Sequence, residues 1–376
     1  MSTQKTIDQD AVATLLKRAS REVEDGLLPS VQIALARNGE LIANETFGDA
    51  TPEHRYIVFS STKAFVAGAM WSLMGEGKID ITKRVGEIIP EFASNGKEAI
   101  TIEQVMLHTS GFPHAPMPQQ LGATSEGRTT RFAQWKLNWE PGSTYEYHAT
   151  SAHWVLAEII ERITGQDYRD VVEQRITTPA GLPRVLGISV EAQKNMKSAD
   201  LTIVGEPATK AELLAAFGVE ELPATEVTPE GVLGIGTPEG KVIGVPGGGG
   251  FMRASDLAIY YQALLHNPNN MWNPEVLADA TGRVRNNLPE RTTGVPANRG
   301  LGVILAGADG NSHIRGMGRT VSPQAFGHNG AYGQIAWADP ATGLSLGYCT
   351  NGIDRNEVRA PRRTTAIASL AGACVK

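Results

Sequence analysis

Cysteine is nearly absent: two in 376 residues, Cys349 and Cys374. So few exclude a disulfide framework. With Cys349 in an apolar strand-like run and Cys374 in the tail, both are expected as reduced thiols. An excess of positive charge is absent as well. Lys and Arg number 34 against 40 Asp and Glu, a net charge of −6, and no basic cluster is interleaved with aromatics, so nucleic acid is not expected as a partner. No run approaches the ~18 apolar residues of a membrane helix, and no membrane partner is expected. Met1 to Asp10 carries one positive charge with no apolar segment behind it and reads as no secretory signal. The resulting expectation is a soluble, cytoplasmic protein.

Several chemical signatures are missing too. No Gly-x-Ser-x-Gly elbow occurs, and no His-Glu-x-x-His or Cys/His cluster, so neither an α/β-hydrolase site nor a metal site is expected. Gly236-Thr-Pro-Glu-Gly-Lys241 approaches a phosphate loop but has the wrong glycine spacing, with Val242 where Ser or Thr is required. No cofactor is implied. There is no repeat at a 20–50 residue period and no low-complexity tract.

What is present is enough chain to bury about three quarters of its unfolded surface, with 41 glycines and 21 prolines spread along it as turn formers. Residues 7–25 carry Ile7, Val12, Leu15, Leu16, Ala19 and Val23 at helical spacing, stopped by Gly26. Two β-prone runs follow, 31–36 and 41–47, joined through Asn38-Gly39, a strong hairpin signal. Near the other end, 302–306, 334–338 and 344–349 read as strands, the last two linked by the turn Asp339-Pro-Ala-Thr-Gly343. A final helix is expected from Pro361, at the first helical position, to about Gly372.

Strands at both ends imply that the termini build one antiparallel sheet together. The expected organisation is an α/β domain from 1–58 with 296–376, and a mostly helical domain over 59–295. Helical pattern covers 64–75, 102–107, 150–164, 168–175, 209–217 and 255–265, the last capped by Ser255-Asp256. Segments 113–130 and 219–250 read as loops that wall a pocket.

Within the middle region, Ser60 and Lys63 stand three residues apart, directly before an eleven-residue apolar segment, 64–74, broken only by Ser72. On a helix, i and i+3 share a face, so a hydroxyl and an ammonium so placed can share a proton in a partly dry site. A capping serine with a solvated lysine is the ordinary alternative. The apolar run favours burial of the lysine, which disfavours its charged form and makes it a usable proton acceptor. A serine nucleophile further needs an oxyanion hole and a proton donor for the leaving group. Tyr147, in Glu140-Pro-Gly-Ser-Thr-Tyr-Glu-Tyr-His-Ala149, is a candidate or a packing residue. The Gly-rich stretch Phe326-Gly-His-Asn-Gly-Ala-Tyr-Gly333 could offer free amides to an oxyanion or form a plain turn.

Taken in order along the chain, these segments resemble the serine β-lactamase and penicillin-binding protein superfamily, in particular its class C-like family VIII carboxylesterase branch. The residues that carry the resemblance are Ser60-x-x-Lys63, Leu107-His-Thr-Ser-Gly-Phe112, Pro141-Gly-x-x-Tyr-x-Tyr147, the Gly-Gly then Ser-Asp-Leu of 249–257, His328-Asn329-Gly330 and Ala338-Asp-Pro-x-x-Gly343. The resemblance implies an α+β, β-lactamase-like fold: an antiparallel sheet flanked by N- and C-terminal helices, a mostly helical domain, and an active site between them. It implies Ser60 as the acylated nucleophile, Lys63 as its proton partner, and Tyr147 as the proton shuttle to the leaving group. The oxyanion hole would be the amides of Ser60 and Ala331, and His328, Asn329 and Gly330 would contact substrate. His108-Thr109-Ser110-Gly111 would be a structural turn, and His148 a packing support for Tyr147.

Two departures narrow the substrate. The usual Tyr-x-Asn is Tyr147-His148-Ala149, which removes an amide that contacts an acylamino side chain. The usual Lys-Thr-Gly is His328-Asn329-Gly330, which removes a fixed positive charge facing a substrate carboxylate. The expected activity is therefore a carboxylesterase acting on a small ester through an acyl-enzyme on Ser60. A β-lactamase, D-aminopeptidase, amidase or acyltransferase on the same fold is the alternative, with an amide as the other small-molecule substrate. A catalytically silent ligand-binding protein is the alternative of another class.

Overall fold

The computed structural model describes residues 5–222, 227–291 and 293–376. Residues 1–4 of the expected leader-free N-terminus and 223–226 of the expected 219–250 loop lie outside the described residues. The central element is a six-stranded antiparallel sheet made from the strands β1 (Ser30–Arg37), β2 (Glu40–Gly48), β3 (Ile304–Leu305), β4 (Phe326–Gly327), β5 (Ile335–Asp339) and β6 (Leu344–Thr350). Their order is β2-β1-β6-β5-β4-β3, so the N-terminal hairpin pairs directly with the last long strand. Asn38 and Gly39 both take positive φ, 55° and 82°, as the tight hairpin turn requires.

Side-chain size alternates across the sheet and decides what each face can accept. Val31, Ile33, Leu35, Ile335, Trp337 and Leu346 point to one face, packed under the helices Gln9–Glu24 and Arg359–Gly372. Burying each such large side chain contributes about 1.5–3 kcal/mol. Ala34, Ala36, Ala336 and Ala338 point to the other face. Their small size admits the helix Ala254–His266 close to the strands: a Cβ on Gly347 would fall 2.0 Å from the Ala254 carbonyl oxygen. Gln262 on that helix bonds the Ala36 and Gly343 carbonyls at 3.0 Å each, fixing helix to sheet.

Beyond it lies the helix Lys63–Gly75, whose residues from Lys63 to Trp71 are all buried. A helix apolar on every side belongs in a protein interior, and this one is held by polar rims of large aromatics. Tyr260 Oη donates to the Ala64 carbonyl at 2.7 Å, and Trp272 Nε1 to that of Gly68 at 2.9 Å. The amphipathic helix Ser151–Thr164 buries Val155, Leu156, Ile159 and Ile160 beside it.

Several boundaries differ from the pattern-based expectation. The cap residue of the helix at 254–266 is Arg253, two residues before Ser255; Asp256 takes part as the third helical residue, its carboxylate accepting the Arg253 amide at 2.8 Å. The final helix begins at Arg359, so Pro361 sits third rather than first, still within the turn whose amides need no helical partner. Short helices Gln119–Gly122 and Ser125–Phe132 form inside the expected 113–130 loop. Pro229–Gly236 and Pro238–Ile243 form inside 219–250, each opened by a threonine cap and Pro. The expected helix at 168–175 is Tyr168–Val172 followed by a wider turn, Glu173–Thr177. Both cysteines are free thiols and buried. Among the described residues no helix is long and apolar enough to cross a membrane.

Candidate active site

Ser60 lies in a short 3-10 turn, Phe59–Thr62, that feeds directly into the helix Lys63–Gly75. Phe59 has φ +42°, a conformation costly for a bulky residue. Its surroundings impose it. Val58 N donates to the Gly250 carbonyl at 2.9 Å, and Gly250 N to Thr62 Oγ1 at 2.9 Å, so the glycine run 247–250 clasps the turn from behind. The Phe59 ring packs edge-on against Tyr332, centroids 6.1 Å apart. Ser60 is thereby held, partly exposed, at the tip of a rigid turn while its neighbours are buried.

Lys63 has no exposed surface. Its Nζ lies 3.3 Å from Ser60 Oγ, 2.7 Å from the Ala149 carbonyl oxygen and 2.6 Å from that of Gly247. Burial first, then the nearby Arg299 charge, hold its pKa well below that of a free lysine. The two carbonyls oppose this, because they accept a stronger hydrogen bond from an ammonium than from an amine. A neutral amine satisfies all three contacts: two N–H groups donate to the carbonyls and the lone pair accepts the Ser60 O–H. That is the geometry of a general base.

Tyr147 completes the cluster. Its ring lies 5.1 Å from Lys63 Nζ. Burial pushes its pKa up to about 12, against the Arg299 charge and the Ser60 hydroxyl, which pull it down. Among the described residues no well-formed hydrogen bond engages the Tyr147 hydroxyl, although Ser60 is near enough to influence it. Catalytic hydrogen bonds are commonly loose before substrate arrives.

The wall behind Tyr147 is built from histidines. His148 N donates to His108 Nδ1 at 3.1 Å, and the His108 ring lies 4.8 Å from that of Tyr147. His148 Nε2 accepts the Phe112 amide at 3.2 Å, which leaves Nδ1–H to donate to the Glu146 carbonyl at 2.7 Å. Burial lowers the His148 pKa to about 3, so it stays neutral and ties the 108–112 turn to the Tyr147 loop. Among the described residues no group of His, Cys, Asp or Glu could hold a metal ion.

The third motif closes the site from the sheet side. Gly330 presses on the nucleophile turn so closely that a Cβ there would fall 2.1 Å from the Val58 carbonyl oxygen. Ala331 opens the 3-10 turn that follows Gly330. Asn329 is occupied at both ends of its amide: Nδ2 donates to the Gly316 carbonyl at 2.7 Å, and Oδ1 accepts Ala336 N at 3.1 Å. His328 is buried, its ring 5.9 Å from Tyr147, with Nδ1 3.0 Å from the Asn329 carbonyl and Nε2 3.4 Å from Arg299. These contacts engage the polar atoms of the His328 and Asn329 side chains within the fold.

Three groups here were not legible beforehand. Gly247 and Ala149 act through backbone carbonyls, which no side-chain pattern announces, although the run of four glycines was a visible mark of close backbone approach. Arg299 sits in Ala-Asn-Arg-Gly and carries no motif at all. A cavity of 1190 Å³ opens beside Ala331, walled by Phe217, Val219, Leu222, Val227 and Tyr332. The described part of 219–250 thus borders it, whereas 113–130 contributes nothing to that wall.

Comparison with known proteins agrees in outline with this geometry. The chain matches the Beta-lactamase family model over residues 15–371. It is 24% identical over 322 residues to the esterase/beta-lactamase LipL of Mycobacterium tuberculosis (strain ATCC 25618 / H37Rv), covering 78% of this chain and 68% of that protein. A penicillin-binding protein homolog from Caulobacter crescentus superposes with a TM-score of 0.77 at 23% identity, covering 99% of this chain and 100% of the other. A family VIII carboxylesterase superposes at 0.75 and 22% identity, covering 97% and 99%.

Proposed function

The chain belongs to the Beta-lactamase family of serine hydrolases, and from that premise we propose that it is a carboxylesterase acting on small esters through an acyl-enzyme on Ser60. The observation that carries this reading is the Lys63 amine, buried, anchored to two backbone carbonyls and facing Ser60 Oγ at 3.3 Å. Ser60 Oγ attacks the ester carbonyl carbon as its proton passes to the Lys63–Tyr147 pair. The amides of Ser60 and Ala331 receive the developing oxyanion. The C–O bond to the alcohol then breaks, and the pair returns the proton to the leaving alkoxide. In deacylation the pair takes a proton from water, hydroxide attacks the acyl carbon, and Ser60 leaves reprotonated. With Lys63 Nζ 5.1 Å from the Tyr147 ring centroid, the two act in this reading as one proton-handling pair.

The preference for esters follows from Tyr147-His148-Ala149 and His328-Asn329-Gly330, which lack the amide and the exposed cation that would grip a β-lactam or a peptide carboxylate. One structural finding favours retaining the lactam alternative in the test: Arg299 puts a positive charge behind His328 after all, though buried. Ser60→Ala should abolish hydrolysis of a short-chain nitrophenyl ester, and a fluorophosphonate probe should label the wild type at Ser60. Turnover retained in Ser60→Ala refutes the mechanism. Faster turnover of a chromogenic cephalosporin, or of an anilide, than of the ester on one preparation would reassign the substrate class.

A further inference from the structure

Arg299 is 3% exposed, and among the described residues it has no carboxylate partner. An isolated buried cation is expensive, and one that persists is normally tied to function or held by a polar framework. Its backbone is fixed by paired bonds with Asn286, Arg299 N to Asn286 O at 2.9 Å and the return bond at 3.1 Å. Its guanidinium donates from Nε to Tyr145 Oη at 2.8 Å and points NH1 at His328 Nε2, 3.4 Å away. The same group lies over two aromatic faces, 5.5 Å from the Tyr145 ring and 5.0 Å from that of Tyr147. Three of its neighbours are thus members of the second and third motifs.

A guanidinium can only donate, so His328 Nε2 must accept and its proton must sit on Nδ1, aimed at the Asn329 carbonyl 3.0 Å away. One cation therefore selects the His328 tautomer and faces the Tyr147 ring at once. We propose that Arg299 is a positioning residue of the acyl-transfer reaction: it locks His328 and Tyr147 in place and, through its charge, governs how readily the Lys63–Tyr147 pair releases the proton it must shed before meeting Ser60. This rests on the acyl-enzyme reading of Ser60.

The groups facing it are Lys63 on the nucleophile helix, His108 after the helix Ile102–Met106, Tyr145, Glu146, Tyr147 and His148 in the 140–150 turn, and His153 on the helix Ser151–Thr164. On the sheet side are His328 and Tyr261, whose hydroxyl accepts His328 N at 2.9 Å, and beyond Tyr145 lies Glu290. Glu146 faces outward to His114 and Arg291 at 2.9 and 3.0 Å, and Glu290 accepts Thr293 N at 2.8 Å. Burial first, then the Arg299 charge for His108 and His328 and the Lys63 and His328 charges for His153, hold these imidazoles well below the ordinary value, so Arg299 is the permanent cation beside the pair.

The sign is fixed by charge. Removing a cation makes both the ammonium and the phenol hold their protons more tightly, whichever of the two is the base. The acid limb of the kcat/KM profile must then move to higher pH, by on the order of one pH unit for a unit charge at such separations. The experiment compares the wild type with Arg299→Met and Arg299→Lys on a nitrophenyl acetate series across pH, subtracting a Ser60→Ala blank and checking folding by circular dichroism. Arg299→Met should lose at least about tenfold in kcat/KM below the wild-type limb and recover much of it at alkaline pH. Arg299→Lys, which keeps the charge and loses the fork, should keep the limb near its wild-type position at reduced kcat. Should Arg299→Met misfold, Arg299→Gln replaces it.

A folded neutral variant with an unmoved limb, or a lysine variant whose limb moves as far as the methionine one, overturns the inference. So does a uniform loss at all pH, which is what a purely structural role predicts. If Ser60→Ala itself turns over the ester, the acyl-enzyme reading has failed instead, and the two failures are told apart by that blank.

Discussion

Gly330→Ala is the sharpest perturbation available, because only space opposes it. Gly330 has φ −100° and ψ 163°, extended backbone that alanine adopts freely. The added Cβ would stand 2.1 Å from the Val58 carbonyl oxygen and 2.9 Å from Gln334 Cβ, where ordinary contact begins at 3.4 Å. Gln334 offers little relief, since Nε2 and Oε1 are both bonded to the Thr350 backbone, at 2.8 and 3.0 Å. The segment carrying Ala331 must therefore retreat from the nucleophile turn by about 1 Å, a misplacement that costs on the order of 10²-fold. Loss of one oxyanion donor costs about 10²–10³-fold in kcat, and the two effects coincide here. Overpacking adds about 1–3 kcal/mol of destabilisation, small enough to leave a folded enzyme of this size. Steady-state ester hydrolysis with a thermal melt on the same sample checks it. The fall should lie in kcat more than in KM, since the amide grips the transition state and not the ground state. A folded Gly330→Ala enzyme with kcat within about threefold of wild type would refute the placement of Ala331 in the oxyanion hole.

Other outcomes follow from the same geometry. Tyr147→Phe should reduce kcat by about 10²–10⁴ with the fold intact, and leave less effect on an ester whose alcohol is a good leaving group, because the lost step is protonation of that alcohol. Away from the site, Arg363 is buried between Glu22 and Asp354, at 2.6 and 2.7 Å, and pins the N-terminal helix to the C-terminal one. Arg363→Met should therefore cost about 1.5–3 kcal/mol in urea unfolding, because each carboxylate loses one charged partner but keeps another, Glu22 to Arg18 and Asp354 to Arg359. Burial raises the Asp354 carboxyl, but bonds from Arg359, the Asn356 amide and Arg363 outweigh it and hold its pKa below the ordinary value. A depressed carboxylate stabilises above its unfolded pKa and ceases to as pH falls through the folded one. Wild-type stability should thus fall on acidification below about pH 4, and less steeply in Asp354→Asn, as denaturant midpoints across pH will report.

Much of the fold was legible because its signals are local. The hairpin at Asn38-Gly39, the closing turn at 339–343 and the helix behind Lys63 each follow from a few consecutive residues. What failed to show was short or context-dependent: β4 is two residues long and reads as a glycine approach, and the helices inside 119–132 and 229–243 have too few apolar positions to display a period.

The sequence by itself singled out Ser60, Lys63 and Tyr147 as candidates, through motifs whose spacing is set by one helical turn or one strand end. It also determined which face of β1 and β5 is bulky and which is small. Only the tertiary structure decided how those residues are tuned. Lys63 meets Gly247 from 184 residues away, and Arg299 meets Tyr145 from 154. A backbone carbonyl or a lone arginine leaves no periodicity, and its effect on a proton depends on the low dielectric that exists only once the core has closed around it.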